Sequence, residues 1–185
     1  GADLGCGTGR ITEILSEHCE QTIGIDASEA LLEVAKERSK GKATYEMGNV
    51  THLPFADSSI DILTAVGVIG ALDAEQESLF FNEVSRVLKD GGLLIDGSFK
   101  NNPQDAIIKL SWKNVLADMV VDTVSGKNKI EHLTPHERQE ILRRNGLATH
   151  GYRFGEIQGV HIETYKKDPK KLAEQYAGYS RNSSG

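Results

Sequence analysis

The 185-residue sequence is short of the features that mark several specialised protein classes. It holds only two cysteines, four prolines and one tryptophan. No stretch approaches the roughly 18 consecutive apolar residues that a membrane-spanning helix needs. The two cysteines, Cys6 and Cys19, have neither the number nor the spacing of a disulfide framework or a metal site. We therefore expect no metal ion and no membrane partner, and a reducing, cytoplasmic setting.

Positive charge is also in short supply. The chain has 21 Lys and Arg against 27 Asp and Glu, which gives a formal net charge of −6. A dedicated nucleic-acid binder needs a basic face for phosphate groups, so the charge argues against a nucleic-acid partner. A content of 38% hydrophobic and 26% charged residues is that of an ordinary globular domain. The length predicts a single domain over residues 1–185.

Glycine, in contrast, is concentrated at the start of the chain. Gly5, Gly7 and Gly9 alternate with other residues directly after a short apolar stretch that contains Asp3. A helical pattern follows, with Ile11, Ile14, Leu15 and His18 spaced to lie on one face. A strand that ends in a glycine-rich turn and opens into a helix brings backbone N–H groups close to a polar ligand. The alternative is a turn with a purely structural role.

The spacing of these glycines separates two classes of ligand. A dinucleotide fingerprint would have its third glycine at position 10, where this chain has Arg10. The observed pattern, Asp3-x-Gly5-x-Gly7-x-Gly9, resembles the first motif of the class I S-adenosylmethionine-dependent methyltransferases. That resemblance implies S-adenosylmethionine as cofactor and S-adenosylhomocysteine as product.

A second acidic residue, Asp26, ends the next apolar segment. The apolar segment from Thr22 ends at Asp26, 21 positions after Gly5, and Ser28 suits the N-cap of a second helix with Leu31, Val34 and Ala35 on one face. An acid at the tip of the second strand is placed to accept hydrogen bonds from both ribose hydroxyls of a nucleotide. The alternative role is a carboxylate that caps the next turn.

A third strand is predicted over 43–47, and the region after it strengthens the resemblance. The stretch from Leu53 to Asp61 reads LPFADSSID, and methyltransferases of this class carry a similar Leu-Pro-Phe-x-Asp-x-Ser-Phe-Asp segment. Ile60 stands in the usual aromatic place. Asn49 stands where the family typically has the acid that accepts a hydrogen bond from the adenine amino group. An Asn oxygen can still accept that bond, without the charge.

The order of elements predicts an α/β fold. We expect a doubly wound, mostly parallel seven-stranded sheet between two helix layers, a three-layer α/β/α sandwich. The resemblance implies the strand order 3-2-1-4-5-7-6, with the last hairpin antiparallel. A helix with Phe80, Val84, Val87 and Leu88 on its buried stripe is expected to end at 89–92. The other predicted elements of the second half are strands over 60–66, 93–98, 147–154 and 157–166, and a helix from Thr134–Pro135 to Arg144.

Three segments fall outside this regular order. Residues 101–131 carry an apolar stripe and are predicted to form a helical insertion after strand five, either a lid over an acceptor or extra helices packed on the sheet. Residues 179–185 are expected to be a frayed tail. The stub before the glycines is very short for a central strand, so we expect native N-terminal residues to be missing.

The resemblance also implies a set of cofactor contacts. The loop would hold the amino-acid end, with Asp3 orienting it, and Asp26 would hold the ribose. Leu31, Asn49 and the backbone of Val50 would face the adenine. The full set is Asp3, Gly5, Cys6, Gly7, Gly9, Asp26, Ala27, Leu31, Asn49, Val50 and Val66.

The chemistry expected of such a site needs little from the protein beyond alignment. Methyl transfer is an in-line displacement for which the cofactor is already activated, so no catalytic base is assigned. The segment after the predicted strand at 60–66 reads Val66-Gly67-Val68-Ile69. It lacks the Asn-Pro-Pro-Tyr type of motif that is typical of enzymes that methylate nucleic-acid bases or glutamine. We therefore expect a small-molecule acceptor. Two alternatives stay open: an NAD-linked oxidoreductase of related fold, or a catalytically silent module. The oligomeric state is unknown.

Overall fold

The computed structural model describes residues 1–99, 133–154 and 160–168, and within them it forms one sheet with helices on both faces. The strands are β1 (Ala2–Leu4), β2 (Ile23–Asp26), β3 (Thr44–Met47), β4 (Ile60–Val66), β5 (Leu88–Phe99), β6 (Leu147–Phe154) and β7 (Val160–Lys167). The helices are α1 (Arg10–Leu15), α2 (Glu29–Ser39), α3 (Ala74–Val87) and α4 (Pro135–Arg144), with a 3-10 turn at Ile69–Ala71.

The predicted strand order is confirmed. The sheet runs β3-β2-β1-β4-β5-β7-β6, with β1 to β5 parallel and β7 antiparallel to both β5 and β6. The order reverses between β1 and β4, and the carboxyl ends of both strands meet at the same edge. Asp3 on β1 lies opposite Gly24 on β2 and Thr64 on β4. Ligands of doubly wound sheets bind at such a reversal.

Two apolar layers cover the sheet. The larger one packs α3 and α4 against the strands and includes Phe80, Phe81, Val84 and Leu142. Phe80 and Phe81 meet edge to face, with ring centroids 5.3 Å apart. A smaller cluster of Cys6, Leu32, Ala35 and Tyr45 lies under the glycine loop and α2.

Helix starts follow the local capping signals in the sequence. The Ser28 hydroxyl accepts from the Leu31 N–H at the start of α2. At the start of α4, the Thr134 side chain accepts from the Glu137 N–H while the Glu137 carboxylate accepts from the Thr134 N–H, a reciprocal capping box. A second capping box at Asp73 and Gln76 begins α3.

The predicted boundary between the third helix and the fifth strand is wrong. Helix α3 ends at Val87, and β5 already begins at Leu88, which pairs with Ile60. The register then jumps so that Leu93 pairs with Ile62. The sequence 89–92 therefore forms an irregularity inside the start of β5, where Gly91 adopts a φ of 83°, instead of a cap on the helix. The described part of the last strand runs from Val160 to Lys167, one residue past the predicted end.

The apolar faces predicted for the first two helices coincide only in part with the buried faces. Ile14 is 57% exposed, whereas Thr12 and Leu15 are buried. In α2, Leu32 and Ala35 are buried and Val34 is exposed. For α1 the physical reason is that the Thr12 hydroxyl donates a hydrogen bond to a buried carboxylate, and this polar contact sets the rotation of a helix of only six residues.

A buried ion pair joins the two helices on the larger apolar layer. Glu77 in the first turn of α3 is completely buried, and its Oε1 accepts from the Nε of Arg138 on α4. The Arg138 side chain is about one-third exposed. Breaking such a pair leaves a charge buried without compensation, so the contact fixes how α3 and α4 dock.

Some predictions fall outside the described residues. They include the insertion at 101–131, the tail at 179–185, the predicted hairpin turn at 155–156 and the first residues, 157–159, of the predicted last strand. Within the described ranges, no helix is both long and apolar enough to span a membrane. In the same ranges, no group of three or more His, Cys, Asp or Glu is arranged to hold a metal ion.

Candidate cofactor site at the strand reversal

The site is built on a buried carboxylate at the end of β1. Asp3 is only 2% exposed. Its Oδ1 accepts from the Thr64 hydroxyl on β4 at 2.7 Å, and its Oδ2 accepts from the Thr12 hydroxyl on α1 at 2.6 Å. One side chain thus ties together the two strands at the reversal and the helix that follows the glycine loop.

Burial sets the electrostatics of this carboxylate. Loss of water raises the pKa of Asp3 above its ordinary value of 3.8, and the two hydroxyl hydrogen bonds offset only part of that rise. The same burial, with the nearby charges of Asp3 and Asp26, raises the pKa of the Cys6 thiol to about 12. Cys6 therefore stays a neutral thiol at physiological pH and contributes packing, not nucleophilicity.

The glycine loop adopts a backbone that other residues rarely reach. Gly5, Gly7 and Gly9 have φ values of 64°, 52° and 78°, all in the left-handed region. The Cys6 N–H donates to the Ile25 carbonyl at 3.0 Å, which fastens the loop to β2. A Cβ added at Gly7 would meet nothing within 4 Å. The loop thus keeps open space over Gly7, directly beside the carboxylate of Asp26.

Gly9 is required for a different reason. A Cβ there would lie 2.7 Å from the hydroxyl oxygen of Tyr45, which comes from β3. The Tyr45 ring crosses Gly24 of β2, where an added Cβ would also clash with it at 2.7 Å. Tyr45 is buried, and burial raises its pKa. Its ring supports the loop from below and explains why glycine stands at both positions.

Asp26 ends β2 next to that loop. Its Oδ2 accepts from the Gly7 N–H at 2.7 Å, and its Oδ1 accepts from the Ser28 N–H at 2.9 Å. The second contact is the turn-capping role that the sequence left as an alternative. Each carboxylate oxygen has a further lone pair, so two ribose hydroxyls could still donate to Asp26. The two roles are compatible.

Asn49 lies at the next corner, after β3, and is exposed. Its Oδ1 accepts from both the N–H and the hydroxyl of Thr51, each at 2.9 Å. The Thr51 N–H can only donate, so this contact fixes which end of the amide is oxygen. The outward end of Asn49 is therefore an NH2 donor. An aspartate in the same turn would present a second acceptor oxygen.

The remaining residues of the predicted set line the same edge. Val50 packs partly buried against the larger apolar layer, and Val66 ends β4 half-buried. Leu31 is half-buried in the first turn of α2, and Ala27 is exposed. Gly5 lies against Val68, whose Cγ2 is 2.6 Å from an added Cβ.

Sequence reasoning missed three residues of this site. Thr12 and Thr64 hold Asp3, and Tyr45 supports the loop. A threonine inside an otherwise apolar strand, as at Thr64, was the available signal for a buried polar partner. No sequence signal separates Tyr45 from an ordinary core aromatic residue.

Five residues are candidates for a general base, and only one of them, His136, has a described side chain; the candidates are His132, His136, His150, Tyr152 and His161. His136 lies exposed in the first turn of α4. His132 and the side chains of His150, Tyr152 and His161 lie outside the described part of the chain. Nothing in the described ranges assigns a general base.

Comparison with known proteins identifies the class of this chain. The family described as "Methyltransferase domain" matches residues 2–96, just over half of the chain. That match covers the strand reversal, the glycine loop, Asp26 and Asn49. The chain belongs to the methyltransferase-domain family.

Two curated relatives differ in what their names say they modify. Over 123 residues the chain is 33% identical to demethylmenaquinone methyltransferase of Lactobacillus johnsonii, covering 60% of this chain and 48% of that protein. Over 95 residues it is 36% identical to the bovine (Bos taurus) "Probable tRNA methyltransferase 9B", covering 51% and 20%. The chain thus spans about half of the first relative's length and a fifth of the second's.

Solved structures share the fold at low identity. A S-adenosylmethionine-dependent methyltransferase from Methanosarcina mazei superposes with a TM-score of 0.66 at 22% identity, over 90% of this chain and 91% of that one. Geranyl diphosphate C-methyltransferase from Streptomyces coelicolor, solved with S-adenosylhomocysteine, gives 0.65 at 14%, over 90% and 71%. The strand order predicted from the resemblance is therefore that of methyltransferase folds.

The raised pKa of Asp3 predicts a specific pH dependence. A carboxyl whose pKa is raised by folding contributes stability that is complete below its unfolded value and is lost as pH rises through the folded value. Asp3→Asn removes this loss while its amide keeps one acceptor and one donor for the two threonines. In urea unfolding from pH 3.5 to 8, the stability of Asp3→Asn relative to wild type should rise with pH above about 4, by at most ~1.4 kcal/mol per pH unit.

Asp61→Asn is the matched control. Asp61 is exposed, and its hydrogen bond from Lys89 lowers its pKa, so its contribution has the opposite sign. The stability of Asp61→Asn relative to wild type should fall as pH rises. A difference for Asp3→Asn that is independent of pH, or that follows Asp61→Asn in sign, would contradict the assignment.

Proposed function

We propose that this chain is the S-adenosylmethionine-binding unit of a methyltransferase that acts on a small-molecule acceptor. The observation that carries the proposal is the open cradle at the strand reversal. There Gly7 leaves space for a ligand beside the carboxylate of Asp26, the Tyr45 ring lies against Gly9 of the loop, and Asp3 ties β1 to β4 and to the helix that follows the loop. The family match makes a methyltransferase the leading class among those that the sequence left open.

The residues present fit that cofactor. In the proposal, the Gly5–Gly9 loop and Cys6 hold its amino-acid end, and Asp3 orients the loop from below. Asp26, with Ala27 beside it, accepts from the ribose hydroxyls. The adenine lies against Leu31, Asn49 and Val50, with Val66 closing the edge of the site. These roles follow the family resemblance position by position.

The chain's own part in catalysis would be alignment. The cofactor, when bound, supplies an activated methyl group on its sulfonium. The protein holds the acceptor in line with that methyl and excludes water, which can contribute roughly 7–11 kcal/mol toward the barrier. An acceptor that carries its own nucleophilic atom needs no base, so the lack of an assigned one does not weigh against transfer.

A small-molecule acceptor is favoured over RNA by two observations. The chain carries a net charge of −6, and RNA binding needs a basic surface. The match to demethylmenaquinone methyltransferase covers more of this chain than the match to the tRNA methyltransferase relative does.

Calorimetric titration with S-adenosylhomocysteine tests the cofactor assignment. Wild type should bind it, and Asp26→Asn should bind at least about tenfold more weakly, since charge-assisted hydrogen bonds contribute about 1.5–3 kcal/mol. Asn49→Asp should bind more tightly, because the second oxygen of the new carboxylate can accept from the adenine amino group. Asp90→Asn removes the same charge at the opposite edge of the sheet and should bind like wild type. Binding of NAD in place of S-adenosylhomocysteine would contradict the assignment.

Transfer of a labelled methyl group tests the acceptor class. Incubation with methyl-labelled S-adenosylmethionine should label a prenylated naphthoquinol or another small organic acceptor, and leave added tRNA unlabelled. Label in tRNA would contradict the small-molecule proposal. Binding of the cofactor with no transfer to either class of acceptor would favour the catalytically silent module instead.

A further inference from the structure

The segment between β3 and β4 is gripped by one arginine. Arg86 lies in the last turn of α3, and its Nη1 donates to the Phe55 carbonyl at 2.7 Å and to the Asp57 carboxylate at 2.8 Å. Its Nη2 donates to the Leu53 carbonyl at 3.0 Å. A planar guanidinium is suited to serve several acceptors at once, whereas an ammonium group is not.

Glu83, one turn earlier on α3, completes the grip. Its Oε2 accepts from the Leu53 N–H at 2.7 Å, and both of its oxygens accept from Arg86 at 2.7 Å. The hydrogen bond from Arg86 lowers the pKa of Glu83, so the pair stays charged at neutral pH. We call this two-residue unit the Glu83–Arg86 clamp. It holds both backbone polar atoms of Leu53.

The clamp fixes more than Leu53. The His52 N–H donates to the Asn49 carbonyl at 2.9 Å, which closes a tight turn immediately before Leu53. At the other end of the same segment, the Gly48 N–H donates to the Asp26 carbonyl at 3.0 Å. Residues 48–53 are therefore held by hydrogen bonds at both ends, to the last residue of β2 at one end and to the clamp at the other.

We propose that the Glu83–Arg86 clamp is a positioning device for the nucleoside side of the cofactor site. It sets how far the 48–53 segment stands from the carboxylate of Asp26, and this distance decides whether a base attached to a ribose on Asp26 can contact Asn49 and Val50. Neither clamp residue touches the cofactor. The inference rests on the cofactor site proposed above.

The energetics favour positioning over a purely stabilising role. Ion pairs that stay in contact with solvent contribute about 0–1 kcal/mol to global stability, and in this pair the side chain of Arg86 is 30% exposed and that of Glu83 is 15% exposed. The segment it grips lies between two strands and has little regular structure of its own. Loosening the clamp should therefore release residues 48–53 locally while the core stays folded.

Three measurements on Arg86→Lys and Glu83→Gln test the clamp. Each variant should bind S-adenosylhomocysteine about tenfold more weakly than wild type does. The affinity for 5′-methylthioadenosine, which lacks the amino-acid end, should fall by the same factor. Amide hydrogen exchange in residues 48–53 should accelerate without ligand, and the melting temperature should change little. Glu140→Gln and Arg143→Lys are matched controls, because that pair has the same spacing on α4 and a 2.9 Å hydrogen bond. Both should behave like wild type.

The outcomes separate this inference from the proposed function. Wild-type protein that binds neither ligand would contradict the proposed function, and the inference with it. Wild type that binds both, with clamp variants that bind equally well, would overturn the inference alone. A clamp variant that loses affinity for S-adenosylhomocysteine only, with unchanged exchange in residues 48–53, would also overturn it, because the defect would then lie at the amino-acid end.

Discussion

The hydrogen bonds from Thr12 and Thr64 to the Asp3 carboxylate are the interaction on which the site depends. A carboxylate that is 2% exposed is costly to bury, and the two hydroxyls reduce that cost only if β4 and α1 both lie against β1. The requirement fixes the rotation of α1, and with it the path of the loop that leads into the helix. The strand reversal thus carries a rigid, polar floor under an open cradle. Burial of the Asp3 carboxylate lowers the free energy of unfolding at neutral pH, and such a cost is typical of residues that serve a functional site.

Successive contacts extend this floor across the sheet. Tyr45, Gly24, Asp3 and Thr64 lie side by side on four neighbouring strands, and the Tyr45 ring covers Gly24, so one row of residues crosses the sheet from β3 to β4 beneath the loop. Asp26 then ties the top of β2 to the loop through Gly7. The Glu83–Arg86 clamp on α3 holds Leu53 and the segment before it. The loop, Asp26 and the clamp come from three different strand–helix units, which the doubly wound topology brings to one edge of the sheet.

Much of the fold could be predicted because its signals are local. The start of α4 follows from Thr134, Pro135 and Glu137, and β4 was predicted with its observed bounds from the family-like segment that leads into it. The glycine spacing and Asp26 predicted a site at the carboxyl edge of the sheet, and the structure brings the loop and Asp26 together there. Contacts between distant residues could not be predicted: Thr12 faces inward because of Asp3, against the apolar pattern that favoured Ile14. Arg86 and Leu53 are 33 positions apart in the sequence, and no periodic pattern predicts the hydrogen bond between them.

The central claim is that the loop and the carboxylate ends around Asp26 form the cofactor cradle. It is tested most directly by the amide resonances of labelled protein during titration with S-adenosylhomocysteine. The account predicts that the largest shifts fall in residues 5–9, 26–28 and 48–50, with little change at the start of β5 around Asp90. Saturable binding whose shifts fall elsewhere, and leave Gly7 and the turn after Asp26 unchanged, would contradict it.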